Sequence, residues 1–129
     1  MFTLDQINAA HSKVKSGADF PFYIQDLINL GITSYQTFVV NGSVDYFGPN
    51  AYEVHSPEKY PTIIVAATSD PSQFKSDLKA HQAGETDYPT FCRGCAKSGI
   101  DKWVVNLDKM TCTYFDMAGN EILTEVIPG

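Results

Sequence analysis

The chain reads as one pattern written twice. At a shift of 68 residues, Asp19-Phe20-Pro21 falls on Asp87-Tyr88-Pro89, Tyr23 on Phe91, Gly31-Ile32 on Gly99-Ile100 and Tyr35 on Trp103. The same shift, without a gap, sets Tyr46-Phe47 on Tyr114-Phe115 and Glu53-Val54 on Glu121-Ile122. Between 19–54 and 87–122 seven positions are identical: Asp, Pro, Gly, Ile, Tyr, Phe and Glu. Average composition would give roughly two. The identities fall where a repeated fold must reuse chemistry: a helix start, a helix end and the aromatics of strands. The expectation is one domain over 1–129, built of pseudo-repeats 3–56 and 70–127.

Local signals give each unit its elements. Thr3 with Gln6 has the capping-box spacing, and Asp70-Pro71 pairs an N-cap with a first-turn proline. Asp87 can accept an orphan amide proton, and Pro89 fits a first turn where its missing N–H costs nothing. Tyr88, Phe91, Cys92, Cys95 and Ala96 then mark one helix face, and Gly99 suits the left-handed position beyond its end. In the first unit the spacing predicts a helix over 4–16, with Leu4, Ile7, His11 and Val14 inward, closed by Gly17. A second follows over 20–30, with Phe20, Tyr23, Ile24, Leu27 and Ile28 inward, ended by Gly31. Strand 32–40 should return through a type I′ hairpin at Asn41-Gly42 into a strand holding Val44, Tyr46 and Phe47. Gly48-Pro49-Asn50 turns the chain into a strand over 51–55. Ser56 to Pro61 carries two prolines and reads as the connector. The apolar run 62–67 reads as a buried strand between the units. Helices 71–83 (closed by Gly84) and 88–98 follow, then strands 101–107, 111–116 and 121–127, with turns near Asp108-Lys109 and at Ala118-Gly119-Asn120. Trp103, Val105 and Leu107 alternate as a half-buried strand should. The fold class is therefore α+β: a duplicated ααβββ unit, helices packed on antiparallel sheet, related by a pseudo-twofold. Each unit is too small to be comfortable alone, so the two should share a core.

Composition excludes several function classes. Apolar residues make up 43% and charged residues 19%, as in a soluble globular chain. A net charge of −6, from 15 acidic against 9 basic residues, argues against nucleic acid, whose phosphates need clustered Lys and Arg. No apolar stretch is long enough to span a membrane. MFTLDQINAAH lacks the basic and apolar regions of a signal peptide. Three cysteines give no closed disulfide framework. The expected compartment is the reducing cytoplasm.

The run HQAGETDYPTFCRGCAKSGIDKWVVNLDKMTCTYFDMAGNE, together with AAHSKVKSGADFPFYIQDL near the start, resembles the YbcV-like family. These are small bacterial and prophage-encoded proteins often labelled "phage envelope protein". The resemblance rests on His81, Gly84, Asp87, Tyr88, Phe91 and Cys92, followed by the Lys102-Trp103 pair, and covers essentially the whole chain. It implies a protein of unknown function, with no activity and no catalytic residues to carry over.

Cys92-Arg93-Gly94-Cys95 invites a thioredoxin-type reading, but that chemistry needs the first thiol at the helix N-terminus. With Asp87 as cap, Cys92 lies more than a turn inside. In the repeat Cys92 aligns with Ile24, Cys95 with Leu27 and Cys112 with Val44, so the thiols stand where the first unit has aliphatic residues. Buried structural cysteines are the expectation. A zinc set of Cys92, Cys95, Cys112 and His81 is the alternative, yet a structural site draws ligand pairs from turns, not from a regular helix. No metal and no cofactor are expected. His81 stands where the first unit has Val14, each three residues before its glycine, and Asp87 is more simply a cap than a base. If the chain has a pocket, His81, Asp87, Tyr88 and Cys92 are its candidates, because polar groups there break the internal symmetry.

Aromatic side chains are abundant: eight Phe, seven Tyr and one Trp. Phe38 and Val40 alternate against Tyr35, Thr37 and Val39, and Phe47 and Phe115 oppose Tyr46 and Tyr114, so both sheet faces carry apolar groups. Either the two units cover each other, or one face is left for a partner or a second copy. A binding or assembly module, forming a homodimer, is expected ahead of a small-molecule-binding protein or an enzyme. No nucleophile–base pair, phosphate loop or paired carboxylates stand out.

Overall fold

The computed structural model describes residues 1–14 and 19–127. Among the described residues four α-helices and six strands run in the order α1 (Leu4–His11), α2 (Phe20–Leu30), β1 (Ser34–Phe38), β2 (Val44–Phe47), β3 (Glu53–Ser56), α3 (Pro71–Gln82), α4 (Tyr88–Lys97), β4 (Ile100–Asn106), β5 (Thr111–Asp116) and β6 (Glu121–Val126). The class is α+β, and ααβββ occurs in each half.

The helix starts follow their caps. Thr3 Oγ1 accepts the Gln6 N–H at 3.3 Å and Gln6 Oε1 accepts the Thr3 N–H at 2.9 Å. Asp70 Oδ1 accepts the Gln73 N–H at 3.1 Å, and Asp87 Oδ1 the Thr90 N–H at 2.8 Å. Gly31 and Gly99 end α2 and α4 with φ of 96° and 76°, a region that costs an L side chain its Cβ clearance. α1 stops at His11, short of the expected 16, where the Ser12 hydroxyl turns back onto the Ala9 carbonyl at 2.7 Å. Gly17 lies outside the described residues. The inward face of α1 is Ile7 and Ala10; His11 is exposed, and Ile28 of α2 is 36% exposed rather than inward.

The strands form one antiparallel sheet in the order β3-β2-β1-β4-β5-β6. The halves therefore meet edge to edge at β1 and β4 rather than covering each other, which corrects the expectation of mutual cover. The ladder is self-consistent under the 68-residue shift. Tyr35 opposite Val105 maps onto Thr37 opposite Trp103, Ser34 opposite Asn106 onto Phe38 opposite Lys102, and Gln36 opposite Val104 onto itself. Within the halves, Tyr35–Tyr46 corresponds to Trp103–Tyr114, and Thr37–Val44 to Val105–Cys112. Left-handed residues recur at the same shift: Gly31 and Gly99, Gly42 and Met110, Ala51 and Gly119. One departure is a β-bulge. Phe47 opposite Glu53 matches Phe115 opposite Glu121, but Tyr114 then faces Leu123 where the shift predicts Ile122.

Two further expectations fail. The run 62–67 forms no strand. With β1 bonded directly to β4 there is no slot for it, and it crosses as extended chain. Ile63 N–H donates to Val40 O and Ala66 N–H to Ala96 O, both at 2.8 Å, while Ile64 is left 91% exposed. The β1–β2 connection is not a two-residue type I′ turn. Asn41 keeps an ordinary φ and uses its side-chain oxygen to accept the Ser43 N–H at 3.0 Å, leaving only Gly42 left-handed, with φ 74°.

The core lies between the helices and one sheet face. Ile7, Ile24, Leu27, Phe74 and Cys95 join Tyr35, Val39, Tyr46, Trp103, Val105 and Tyr114 in one cluster. Rings tie the layers: Phe74 to Tyr114 at 4.8 Å and Phe91 to Trp103 at 5.8 Å between centroids. Phe38, Phe47, Val104 and Phe115 alternate onto the opposite face, stay half-buried and are not part of that cluster.

Candidate functional site

The four candidate residues separate into two pairs with different jobs. His81 and Asp87 flank the turn that joins α3 to α4. The His81 ring stacks on Phe91, with centroids 4.4 Å apart and planes 12° from parallel. Its Nδ1 lies 3.2 Å from both the carbonyl oxygen and Oγ1 of Thr86. Asp87 is held below the usual carboxylate range, first by the Thr90 hydroxyl and backbone N–H, then by Arg93 and His81. Both are thereby occupied in holding the α3–α4 corner together.

Tyr88 and Cys92 form the other pair, and the connector completes it. Cys92 is 1% exposed, and burial pushes its thiol upward, opposed by the neighbouring Tyr60 and Tyr88 hydroxyls and by Lys59 and Arg93. Tyr88 keeps 39% of its surface in solvent yet turns its hydroxyl inward, where burial raises its pKa. The Tyr60 hydroxyl donates to the Val39 carbonyl at 2.6 Å. Lys59, exposed overall, aims its ammonium inward to donate to Gly42 O at 3.1 Å and Ser56 Oγ at 3.3 Å; burial lowers its pKa. The His11 ring, edge-on to Tyr23 at 5.4 Å, is exposed on one side only; partial burial on the other, and then Lys59, hold it below its usual pKa. Lys59 and Tyr60 were not singled out from the sequence. Their only signal there is position, between the two prolines of the connector.

This arrangement does not make a nucleophile. All three cysteines are free and buried. Burial drives the Cys95 thiol up strongly and pushes Cys112 up to about 12, so neutral thiol prevails at physiological pH. Cys92 and Cys95 lie on the core face of α4, beyond its first turn. Among the described residues no group of three or more His, Cys, Asp and Glu is placed to hold a metal ion. Two concave spaces of about 220 and 310 Å³ lie along the α1–α2 pair, and both are bordered by Ala10, Lys13 and Asp26. His81, Asp87, Tyr88 and Cys92 border neither. No helix among the described residues is long and apolar enough to cross a membrane.

An uncharacterized protein of Mycobacterium bovis and two of Mycobacterium tuberculosis are each 40% identical to this chain over 40 residues. Those matches take in 31% of this chain and 24% of each relative, so the chain spans only a small part of the curated relatives it matches. A family model described as "Protein of unknown function (DUF1398)" matches residues 8–126, nearly the whole sequence. The chain belongs to the DUF1398 family of proteins of unknown function.

Proposed function

We propose that this chain is a binding and assembly module, a single domain that self-associates through the open face of its sheet. The observation that carries the reading is the set Phe38, Phe47, Val104 and Phe115, which lies outside the core cluster on the face opposite the helices. Six strands at about 4.8 Å spacing, each roughly 16 Å long, present roughly 450 Å² in projection. Side-chain relief brings that toward the roughly 800 Å² per partner of a standard interface. On this face Ser34, Gln36, Asn106 and Thr113 are uncharged, Asp45 lies opposite Gln36, Lys102 of β4 lies in register between Phe38 and Phe115, and Glu53, His55 and Glu121 lie on the outer strands β3 and β6. Aromatic rings set among polar groups, rather than bulk hydrophobicity, are what a non-obligate contact surface shows.

Sedimentation of the full chain tests this. The wild type should self-associate with rising concentration, Phe38→Asp and Phe47→Asp should weaken that association, and His81→Ala should leave it intact. Thermal melting of each variant separates loss of contact from loss of fold. A wild type that sediments as a monomer at high concentration removes the reading.

The second reading is a small-molecule site at Tyr88 and Cys92 with Lys59 and Tyr60, favoured by four polar groups from two segments, α4 and the connector, converging there. The net charge of −6 supports the exclusion of nucleic acid from either reading. We also infer kinship with the prophage-associated YbcV-like proteins, on the His81 to Cys92 run, a cytoplasmic location, and an origin of the two halves in one duplicated ααβββ unit. The shared register of the two hairpin sets supports that origin.

A further inference from the structure

His55 stands in the edge strand β3 with its side chain on the open face, 60% exposed. Its register partner in β2 is Asp45, and His55 Nδ1 lies 2.6 Å from Asp45 Oδ1. Its other ring nitrogen, Nε2, lies 3.3 Å from Glu53 Oε2. Glu53 is two residues earlier on the same strand and so on the same face. The second oxygen of Asp45 accepts from Gln36 Nε2 of β1 at 3.2 Å, completing a polar stripe across three strands.

Proton counting decides what this stripe can do. An ionised carboxylate only accepts, and a neutral imidazole has a single N–H. Both carboxylate contacts can therefore exist together only while both ring nitrogens carry protons. On deprotonation one contact must become a meeting of lone pairs. The Asp45 contact is shorter and braced by Gln36, so the contact to Glu53 is the one that opens. We propose that His55 is a proton-operated clamp on the outer strand of the open face, holding Glu53 and Asp45 together when charged and releasing Glu53 when neutral.

The fold makes that strand responsive. β3 has four residues and a single ladder, to β2. The charges acting on the ring are Asp45 from β2 and Glu53 from β3 itself. Lys59 reaches Ser56, which is buried on the helix side of the same strand. The hydrogen bond to Asp45 leads the causes that raise the ring's pKa above its ordinary 6.5. A raised histidine pKa sets the sign: the clamp is fully closed below the unfolded value near 6.5 and is lost as pH rises through the higher folded value. Opening takes the corner from a net charge of −1, two carboxylates with one cation, to −2. The clamp stands whether or not the open face self-associates.

NMR of the labelled full chain tests it. The His55 ring should titrate above 6.5, and Glu53→Gln should lower that pKa. Amide protection in β3, corrected for intrinsic exchange, should fall severalfold as pH rises through the His55 pKa. That step should be absent in a folded His55→Gln variant. A His55 pKa at or below 6.5, a pKa unmoved by Glu53→Gln, or flat β3 protection through the titration would overturn the clamp.

Discussion

Two glycines at equivalent places in the two halves allow backbone strain to be separated from steric contact. Gly31 and Gly99 both follow a helix and both sit at positive φ, 96° and 76°. A Cβ added at Gly31 meets nothing within 4 Å. A Cβ at Gly99 would lie 2.6 Å from Thr68 O, 2.8 Å from Ser69 Cα and 2.9 Å from Ser69 N. These are backbone atoms and cannot swing aside as a side chain would. Gly31→Ala should therefore cost only the left-handed penalty of about 1–2 kcal/mol, reduced by the smaller conformational freedom of the unfolded alanine chain, for a net of about 1 kcal/mol. Gly99→Ala carries the same penalty plus roughly 1–3 kcal/mol of overpacking. It also strains the bonds from Asp70 N–H to Ser98 O at 2.9 Å and from Ala66 N–H to Ala96 O at 2.8 Å. The expected total is about 3–4 kcal/mol. Urea denaturation of both variants, at an unchanged slope, measures the difference. It should be about 2 kcal/mol or more; equal costs would refute the close approach of the connector to the end of α4.

Other outcomes follow from the caps and the thiols. Asp70→Ala should lower stability by about 1 kcal/mol, measured by the same urea titration. Asp87 and Asp116 are both held below the usual carboxylate range, Asp87 by Thr90 and Asp116 chiefly by the backbone of Asn120. Their contributions should be present above the unfolded value near 3.9 and lost as pH falls through the lower folded values, visible as a fall in melting temperature on the acid side that Asp116→Asn flattens. Cys92, Cys95 and Cys112 should resist alkylation near neutral pH until denaturant is added, and elemental analysis should find no stoichiometric zinc. Rapid native-state labelling of Cys92, or about one zinc per chain, would contradict their reading as buried structural thiols.

The helices were the most legible part of the sequence because their ends carry short-range chemistry. Asp70, Asp87, Gly31 and Gly99 each act within a few residues, and each sits where its spacing put it. Sheet order was not legible, since alternation in β1 and β2 shows two apolar faces and cannot tell which one a distant helix will cover. The run 62–67 has strand composition, but a strand needs a neighbour, and β1 and β4 had already taken each other. Asn41-Gly42 turns the chain but not as a type I′ turn, because the Asn41 side chain accepts the Ser43 N–H instead. At the candidate site, the inward turn of Cys92 could be read from helical periodicity. Lys59 and Tyr60 could not, because a proline-bounded connector has no period to place them.

The β1–β4 seam has a consequence for how the molecule can come apart. Since the 68-residue shift carries the ladder onto itself about Gln36 and Val104, each of these strands offers its partner's complement at its own centre. Fragments 1–56 and 70–127 would each end in a bare edge that fits the other, so they should recombine in trans when mixed. The same fit lets β1 of one molecule close on β4 of another, with every hydrogen bond of the seam conserved. In such an exchange the seam is indifferent to whose strand it receives, and the reach of the chain between β3 and α3 decides between self and neighbour.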